Sequence, residues 1–500
     1  MLDPLTWPAR FSAAHGRQPR VLHLGNVANY AYVTAKLMRQ AGVSCDVADP
    51  DFYHIMASPE WYEADWEGGY GDEFLPRWSQ LDLKDYQRPR WFAQGPAELV
   101  FRYLATRHVE NHARQSAEWR ALEFSRRLTT GDLNQFELWL TRVRWKPFRL
   151  MGRGLAALIS PSLLQVGRGD PALEAKSTPA SPADDLDLPI LAEIRRRASF
   201  YRAALAHYDI VQGYTTLAYF PAALGMRNFI AYELGTLRGL PFEDSPAGRL
   251  TAWVYRTAPE IFVTNSDCMA AARRLGIEDF RLNPVLHGFD LEEAKAFLSN
   301  WGPPQVDSHR PLVLAPARHH WSEGNASWLK GNDVFLRGAA LARDRGLEFR
   351  VRLFDWGSEV HLSRQLIENL GLQGCIEWGP PLPRRKLWPL YMEAAAVADQ
   401  FSAGSLGGVA LESLALGRRL ITSVKEDATA AHFGSLPPVF NASSPQAVAE
   451  ALSVCLADPT DTARRGAMGI AWMGREHSGE RQLRQQFSVY ERLLASLGPN

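Results

Sequence analysis

Two successive series of short apolar runs that alternate with helical stretches constrain the fold of this chain most. The first series opens with the run at 20–24, breaks at Gly25-Asn26 and continues as a helical stretch to Gln40. The second opens at 311–314 and continues into a helical stretch at 332–345. Each pattern is typical of βαβ units, in which parallel strands are joined by crossover helices. We therefore expect two Rossmann-like, doubly wound α/β domains that bind ligands at the carboxyl ends of their strands.

A stretch at 301–310 separates the two series, because its paired prolines and polar residues favour neither helix nor strand. The predicted domains are an N-terminal one over 1–300, with an insertion at about 120–195, and a C-terminal one over 308–475. A terminal amphipathic helix is expected at 478–496. Further strands are expected near 43–47, 209–211, 229–231, 261–265, 349–353, 375–377, 396–398, 419–422 and 439–440.

Charge and cysteine content exclude several classes of protein. Lys+Arg and Asp+Glu both number 55, and a chain without excess cations is a poor candidate for binding nucleic acid. The four cysteines contain no CxxC pair, so neither a zinc knuckle nor a redox motif is indicated. Without a signal peptide or an apolar run of membrane-spanning length, the chain is expected to be soluble and cytoplasmic.

One segment departs from this neutral average. Residues 141–169 contain six basic residues and no acidic one, interleaved with large apolar side chains. Two interpretations stay open. The segment is either a basic amphipathic element that lies on the inner face of an anionic membrane, or a solvated insertion packed on its own domain.

The most informative motif is the glycine-rich stretch at 399–417. It follows an apolar strand and enters a helix near Gly408, where free backbone amides and the positive end of the helix dipole favour a phosphate. Glu412 is expected one turn into that helix, where a carboxylate can accept hydrogen bonds from the hydroxyls of a ribose. A tight connection with no ligand remains the alternative interpretation.

Two cations follow the strand at 311–315. Arg318 and Lys330 can neutralise a diphosphate leaving group, and lysine is notable because only eight occur in the chain. Between them lie His319 and His320, which could suggest a metal site. Neighbouring side chains diverge, however, and no third ligand is suitably spaced, so no metal site is predicted.

At these segments the sequence resembles the GT-B nucleotide-sugar glycosyltransferases, in particular the large retaining group with a Glu-x7-Glu motif. The resemblance rests on KGND at 330–333, the stretch from Gly404 to Glu412, LESLALGRRLI at 411–421, HGFD at 287–290 and VTNSD at 263–267. These matches follow the family's order across roughly 210–495. Gly404 stands where the family has its first motif glutamate, and Asp399-Gln400 is similar to a variant with DQ at the strand end.

The resemblance implies a role for each matched position. Arg318 and Lys330 would bind the diphosphate, Glu412 the ribose, and Asp399 or Gln400 would replace the missing sugar contact. The N-terminal domain would bind the acceptor, and the terminal helix would cross back onto it. Further donor-binding residues would be Gly357, Pro381, Leu382, Gly404, Ser405, Gly407 and Gly408, and the acceptor would face Gly25, Asn26, Asn29, Tyr30 and Glu233.

The resemblance further implies a metal-independent hexosyltransferase that acts with retention, without a cofactor beyond its nucleotide-sugar co-substrate. The acceptor would be a saccharide or a lipid-linked saccharide, in surface polysaccharide or glycoconjugate synthesis. Two alternatives remain open: a sugar-nucleotide epimerase on the same fold, and a catalytically silent partner subunit, which the loss at Gly404 would explain.

Overall fold

The computed structural model describes residues 2–132, 188–322, 329–457 and 459–498. Two compact units make up the described chain. The first comprises 1–234, 240–262 and 487–500, and the second comprises 235–239 and 263–486. The basic segment at 141–169 and most of the predicted insertion lie outside the described residues.

The first sheet has seven strands in the order β3-β2-β1-β4-β5-β6-β7. Strand β1 pairs in parallel with β2 on one side and with β4 on the other, so the strand order reverses direction at β1. Strands β4 and β5 are buried along their whole length, as expected for a parallel sheet covered on both faces. The strands are β1 (Arg20–Leu24), β2 (Ser44–Pro50), β3 (Phe92–Gly95), β4 (Ile210–Tyr214), β5 (Phe229–Glu233), β6 (Glu260–Val263) and β7 (Leu282–Pro284).

Helices of the N-terminal half cover this sheet. The helix predicted to end at Gln40 does so, and Gly42 then adopts a positive φ of 87°. The helices up to residue 262 are α1 (Trp7–His15), α2 (Tyr30–Gln40), α3 (Pro59–Glu63), α4 (Ala97–Leu104), α5 (His112–Thr130), α6 (Pro189–Arg196), α7 (Ala198–Leu205), α8 (Tyr219–Ala223) and α9 (Pro246–Thr257).

The second sheet has six strands in the order β10-β9-β8-β11-β12-β13, and all its pairs are parallel. Its core contains Leu314, Val397 and Leu420 from adjacent strands. The strands are β8 (Leu312–Ala315), β9 (Arg350–Phe354), β10 (Ile376–Gly379), β11 (Ala394–Ala398), β12 (Leu420–Thr422) and β13 (Phe440–Asn441). The later helices are α10 (Cys268–Arg274), α11 (Leu291–Trp301), α12 (Asn332–Asp344), α13 (Val360–Asn369), α14 (Arg384–Glu393), α15 (Gly408–Ala415), α16 (Glu426–Phe433), α17 (Pro445–Ala457), α18 (Pro459–Glu476) and α19 (Gly479–Leu497).

Two doubly wound parallel sheets confirm the predicted fold class. By its contacts, the segment 263–310 belongs to the second unit, although its strand β7 is the last strand of the first sheet. The reason is α11, whose Phe297 ring lies 5.1 Å from that of Trp388 and whose Leu291 is buried in the second core. Across the described residues, no helix combines the length and apolar character needed to span a bilayer.

The end of α19 packs within the first unit, to which residues 487–500 belong. The ring of Trp7 lies 5.2 Å from that of Phe487 and 5.5 Å from that of Tyr490, between centroids. Gln212 on β4 also donates a hydrogen bond to the hydroxyl of Tyr490. Helix α1, which the sequence analysis did not anticipate, therefore serves to cover these aromatic side chains.

Candidate functional site

The carboxyl edge of the second sheet gathers most of the predicted donor residues. Strands β8, β11 and β12 are neighbours and run in parallel, so the segments that follow them emerge at one edge. Arg318 follows β8, Asp399-Gln400 follow β11, and Ser423 follows β12. This is the edge at which doubly wound sheets bind ligands.

A hydrogen-bonded chain ties Lys330 to the glycine-rich loop. The Nζ of Lys330 donates to Oε1 of Gln400 at 2.8 Å, and Nε2 of Gln400 donates to the carbonyl oxygen of Ser405 at 2.5 Å. The backbone amide of Phe401 donates to the Lys330 carbonyl at 2.7 Å. These contacts fix the lysine ammonium directly against the loop that precedes α15.

The residue after Lys330 explains why the KG pair is needed here. Gly331 has a φ of +70°, and a Cβ at this position would lie 2.7 Å from the Ser402 hydroxyl oxygen and 3.0 Å from the Phe401 side chain. A larger residue would therefore push the two loops apart and withdraw Lys330 from Gln400.

Burial shifts Lys330 and Asp399 toward their neutral forms. Desolvation lowers the pKa of Lys330 to about 8, opposed by Asp399 and reinforced by the like charges of Arg318 and Arg238. Desolvation raises the pKa of Asp399 to about 6, opposed by Lys330 and by the Ala410 amide. Near neutral pH both groups carry charge, so the edge presents a cation and an acceptor side by side.

Asp399 has an unused acceptor. The residue is only 7% exposed, and its Oδ2 has no hydrogen-bond partner among the described residues. That oxygen would lie 3.6 Å from a Cβ at Gly407, the residue before α15. A buried carboxylate oxygen without a hydrogen bond destabilises the fold. This atom is therefore suited to accept a hydrogen bond from a hydroxyl group of a ligand.

Helix α15 begins without a side-chain cap, since Gly407 at its N-cap offers none. The first two amides of the helix, those of Gly408 and Val409, are therefore open to an anion, whereas the third, that of Ala410, donates to the Asp399 carboxylate. Glu412 lies one turn further on and accepts a hydrogen bond from the Tyr391 hydroxyl at 3.1 Å. Burial raises the pKa of Glu412 to about 7, opposed chiefly by Arg384.

Gly404, where the sequence resemblance would place a glutamate, lies in a position that requires a glycine. Its φ is +72°, and a Cβ there would lie 2.9 Å from Cγ of Lys425. The amide of Lys425 also donates to the Gly404 carbonyl at 2.9 Å. The glycine thus makes room for the Lys425 side chain, which the sequence analysis did not single out.

The segment after β8 is held by buried polar contacts. Nδ1 of His319 lies 2.8 Å from the Ser363 hydroxyl, and burial lowers the pKa of His319 to about 4. Gly357, with a φ of +103°, would place a Cβ 2.6 Å from the His319 amide nitrogen, so it acts here as a close-packing residue. Arg318 is half-buried, and its guanidinium carbon lies 5.9 Å from the centroid of the Trp356 ring.

Other predicted donor residues lie near this edge or beside it. Pro381 is buried and Leu382 is half-buried, in the turn between β10 and α14. The side chain of Leu382 packs against the hydrophobic core of the second sheet, so the polar groups that this turn can offer a ligand are those of its backbone. Within the described ranges, no group of three or more His, Cys, Asp or Glu side chains is arranged to hold a metal ion.

Arg238 is a site residue that sequence reasoning missed. Its Nε and Nη2 donate to the two carboxylate oxygens of Asp267 at 2.6 and 2.9 Å, and Nη2 also donates to the Ser405 hydroxyl at 2.9 Å. The segment 235–239 belongs to the second unit although its flanks belong to the first. The available signal was a lone arginine in a Gly-Thr-Leu-Arg-Gly loop after a strand.

The predicted acceptor residues lie in the first unit and are largely occupied by internal contacts. Asn26 and Asn29 are buried, and Asn26 donates to Oδ1 of Asn29 at 2.9 Å and to the Ala57 carbonyl at 2.7 Å. Asn29 donates to the carbonyls of Met56 and Ser58. Both asparagines therefore fix the loop at 54–58 on the sheet, and an acceptor role for them stays a prediction.

Gly25, Tyr30 and Glu233 surround the same edge of the first sheet. Gly25 has a φ of +104°, and a Cβ there would meet the Leu217 side chain at 2.9 Å. Tyr30 is half-buried and begins α2, whereas Glu233 ends β5 and is fully buried. Their acceptor role likewise stays a prediction.

Backbone strain marks this carboxyl edge independently of any motif. Ala28 and Asn29 after β1, Asp51 after β2 and Thr215 after β4 all have positive φ values between 51° and 59°. Side chains other than glycine rarely adopt this conformation, and Thr215 is β-branched as well. Such strain accumulates at functional sites, so Asp51 and Thr215 join the candidate binding residues of the first unit.

Comparison with known proteins finds similarity in structure only. No protein-family model matches the sequence, and a search of curated proteins finds no match. In structure the chain is similar to Anabaena HepE in complex with UDP and glucose, at 12% identity over 95% of this chain and 100% of that one, with a TM-score of 0.48.

Two further similar structures cover nearly the whole chain. A glycosyltransferase from Rickettsia africae is 12% identical over 95% of this chain and 98% of its own, with a TM-score of 0.49. The lipopolysaccharide outer core galactosyltransferase WaaB is 10% identical over 96% of this chain and 100% of its own, with a TM-score of 0.49. Each score is below 0.5, so the chemistry proposed below rests on the site's own residues.

Proposed function

We propose that this protein is a glycosyltransferase that moves a hexose-type sugar from a nucleotide diphosphate sugar to a saccharide or lipid-linked acceptor, with retention of configuration. The observation that carries the proposal is the Lys330–Gln400–Ser405 chain of hydrogen bonds. It holds a lysine ammonium against the start of α15, where the amides of Gly408 and Val409 have no side-chain cap, at the carboxyl edge of a doubly wound sheet. Anions of the size of a diphosphate bind where such fixed cations and free amides converge.

Different residues of this edge would bind different parts of the nucleotide sugar. Arg318 and Lys330 would neutralise the diphosphate, and the first amides of α15 would add hydrogen bonds to it. Glu412 would accept hydrogen bonds from the ribose hydroxyls. The unpaired Oδ2 of Asp399 would accept a hydrogen bond from a hydroxyl of the transferred sugar. These contacts use cations and carboxylates of the chain itself, and the proposed transfer uses no metal ion.

The proposed reaction breaks the bond between the anomeric carbon and the β-phosphate oxygen. The acceptor oxygen forms the new bond on the same face, and its proton passes to the departing phosphate. The negative charge that grows on this phosphate is what Arg318 and Lys330 would stabilise in the transition state. The first unit would supply the acceptor site. The reaction would serve surface polysaccharide or glycoconjugate synthesis, and the protein would act in the cytoplasm.

Turnover of nucleotide sugars by the purified protein, with a panel of saccharide acceptors, tests this function. We expect Lys330→Ala and Glu412→Ala each to lower kcat/KM by roughly 100–1000-fold, because the first removes a cation from the diphosphate and the second removes the acceptor of the ribose hydroxyls. Lys295→Ala is the matched control, since that lysine is exposed and forms a local ion pair with Glu292.

Three results would contradict the proposal in different ways. Unchanged transfer by both site variants would refute the site assignment. Conversion of the nucleotide sugar without any acceptor would favour the epimerase alternative. Donor binding without turnover on any acceptor would favour the silent partner subunit.

A further inference from the structure

Lys425 is a further cation at the carboxyl edge of the second sheet, besides Arg318 and Lys330, which are assigned to the diphosphate, and Arg238, which pairs with Asp267. Lys425 follows β12 and lies at the N-cap of α16, and it is exposed. Its Cγ, Cδ and Cε lie 2.9, 3.3 and 3.3 Å from the Cβ position of Gly404. Three successive stem carbons near one point mean that the side chain runs across the loop, so its ammonium ends beside Gly404.

Local structure gives no reason for a lysine at this position. An N-cap favours Ser, Thr, Asp or Asn, and a cation at a helix N-terminus opposes the helix dipole. Among the described residues, no carboxylate forms an ion pair with Lys425. A residue that breaks a local rule without a compensating contact is a candidate for a ligand contact.

The charged groups around Lys425 leave its ammonium available. Glu426 and Asp427 follow it in the first turn of α16, and Glu426 accepts a hydrogen bond from Asn441 at 2.9 Å. On the facing loop, Asp399 is buried beside Gly407, three residues further along from Gly404. The loop is thus bordered by a cation at Gly404 and an acceptor at Gly407.

We infer that Lys425 recognises a carboxylate on the transferred sugar, so that the donor is a nucleotide diphosphate hexuronate. This inference rests on the proposed function. A neutral hexose offers only hydroxyls, which the Oδ2 of Asp399 can accept but which need no ammonium. A hexuronate offers hydroxyls, which can donate hydrogen bonds to the Asp399 acceptor, and one carboxylate, which can pair with the Lys425 cation. The acceptor and the cation lie at the two ends of one short loop.

Donor binding by calorimetry separates this role from a phosphate contact. The probes are UDP, GDP and ADP to establish the base, followed by the UDP-glucose and UDP-glucuronate pair or the GDP-mannose and GDP-mannuronate pair. We expect the hexuronate to bind about three- to fivefold tighter than the hexose of the same base, as one exposed charge pair allows. Lys425→Met should abolish this preference and leave nucleotide diphosphate binding unchanged, whereas Lys425→Arg should retain it.

Lys295→Met, at an exposed lysine on α11, is the control and should behave as the unmodified protein. A wild-type protein that binds hexose donors without preference for the hexuronate overturns the inference alone. A Lys425→Met variant that binds nucleotide diphosphate and both donors equally weakly also overturns it, because the lysine then contacts phosphate. Failure of every nucleotide and donor to bind the wild type overturns the proposed function as well.

Discussion

At the scale of single residues, the site depends on groups whose pKa values are shifted by burial. Lys330 is the clearest case, because it combines a pKa lowered to about 8 with a hydrogen bond to Gln400. Its identity was predictable, since lysine is scarce in this chain and follows a strand. Its partner was not, because the residues lie 70 positions apart and meet only when β8 and β11 pair.

The lowered pKa of Lys330 predicts the pH dependence of donor binding. Below about pH 8 the ammonium is protonated and attracts the diphosphate, and as pH rises through this value the charge is lost. Between pH 6.5 and 8.5 we therefore expect the Kd for a nucleotide diphosphate sugar to rise about three- to fivefold relative to that of Lys330→Arg, which keeps its charge. The measurement is calorimetric titration at several pH values.

Lys330→Arg separates this effect from titration of the ligand. An arginine remains charged throughout this range, so its pH profile retains only the contribution of the other titrating groups, chiefly Glu412 with a pKa of about 7. The difference between the two profiles is then the contribution of Lys330. If the Kd values of the two proteins change with pH in the same way, Lys330 does not titrate between pH 6.5 and 8.5, and the prediction is wrong.

At the scale of elements, glycines decide how closely helices and loops approach. Gly338 on α12 faces α17, and a Cβ there would lie 2.5 Å from Cβ of Val448 and 2.8 Å from the Pro445 carbonyl oxygen. The helices themselves follow from apolar periodicity, and α12 was expected at 332–345. The close approach of α17 at one glycine has no counterpart in that periodicity.

Gly338→Ala therefore tests helix packing in the second unit. Alanine favours the helix by about 1 kcal/mol, but overpacking at Val448 should cost about 1–3 kcal/mol, so we expect net destabilisation. The measurement is the midpoint of urea unfolding followed by circular dichroism. Gly474→Ala on α18 is the matched control, because a Cβ there meets nothing within 4 Å, and it should stabilise the protein slightly.

At the scale of the whole molecule, buried neutral histidines are spread over both units. Burial lowers the pKa of His23 to about 3 and the pKa values of His319, His320, His432 and His477 to about 4. Burial also lowers the pKa of His287 well below its usual value. Each remains neutral in the folded state, where protonation would place a charge in a desolvated position.

These histidines predict acid sensitivity of the fold. In the unfolded chain they bind protons near pH 6.5, whereas in the folded protein they do so only near pH 4 or below. Their contribution is thus complete above pH 6.5 and is lost as pH falls toward 4. Four carboxyl groups act in the opposite direction: Asp399 and Glu412, with pKa values raised to about 6 and about 7, and Asp49 and Asp51, whose pKa values burial also raises. Six histidines oppose these four groups.

We expect the urea midpoint to fall steadily between pH 7 and pH 5, with His477→Phe reducing the slope because it removes one titrating group. His15→Phe is the control, since His15 is exposed on α1. A midpoint that is constant or higher at pH 5 would mean that the raised carboxyl pKa values dominate.

The sequence by itself determined the two doubly wound domains, the helix that ends at Gln40, and the glycine-rich loop that leads into the helix containing Glu412. These features depend on local periodicity, on glycines where the chain must turn, and on residues close together along the chain. Only the tertiary structure decided that Arg238 joins Asp267 and Ser405, that Lys425 covers Gly404, and that 263–310 packs with the second unit. Each of these depends on contacts between segments distant in sequence, and local pattern carries no information about which distant side chain fills a given space.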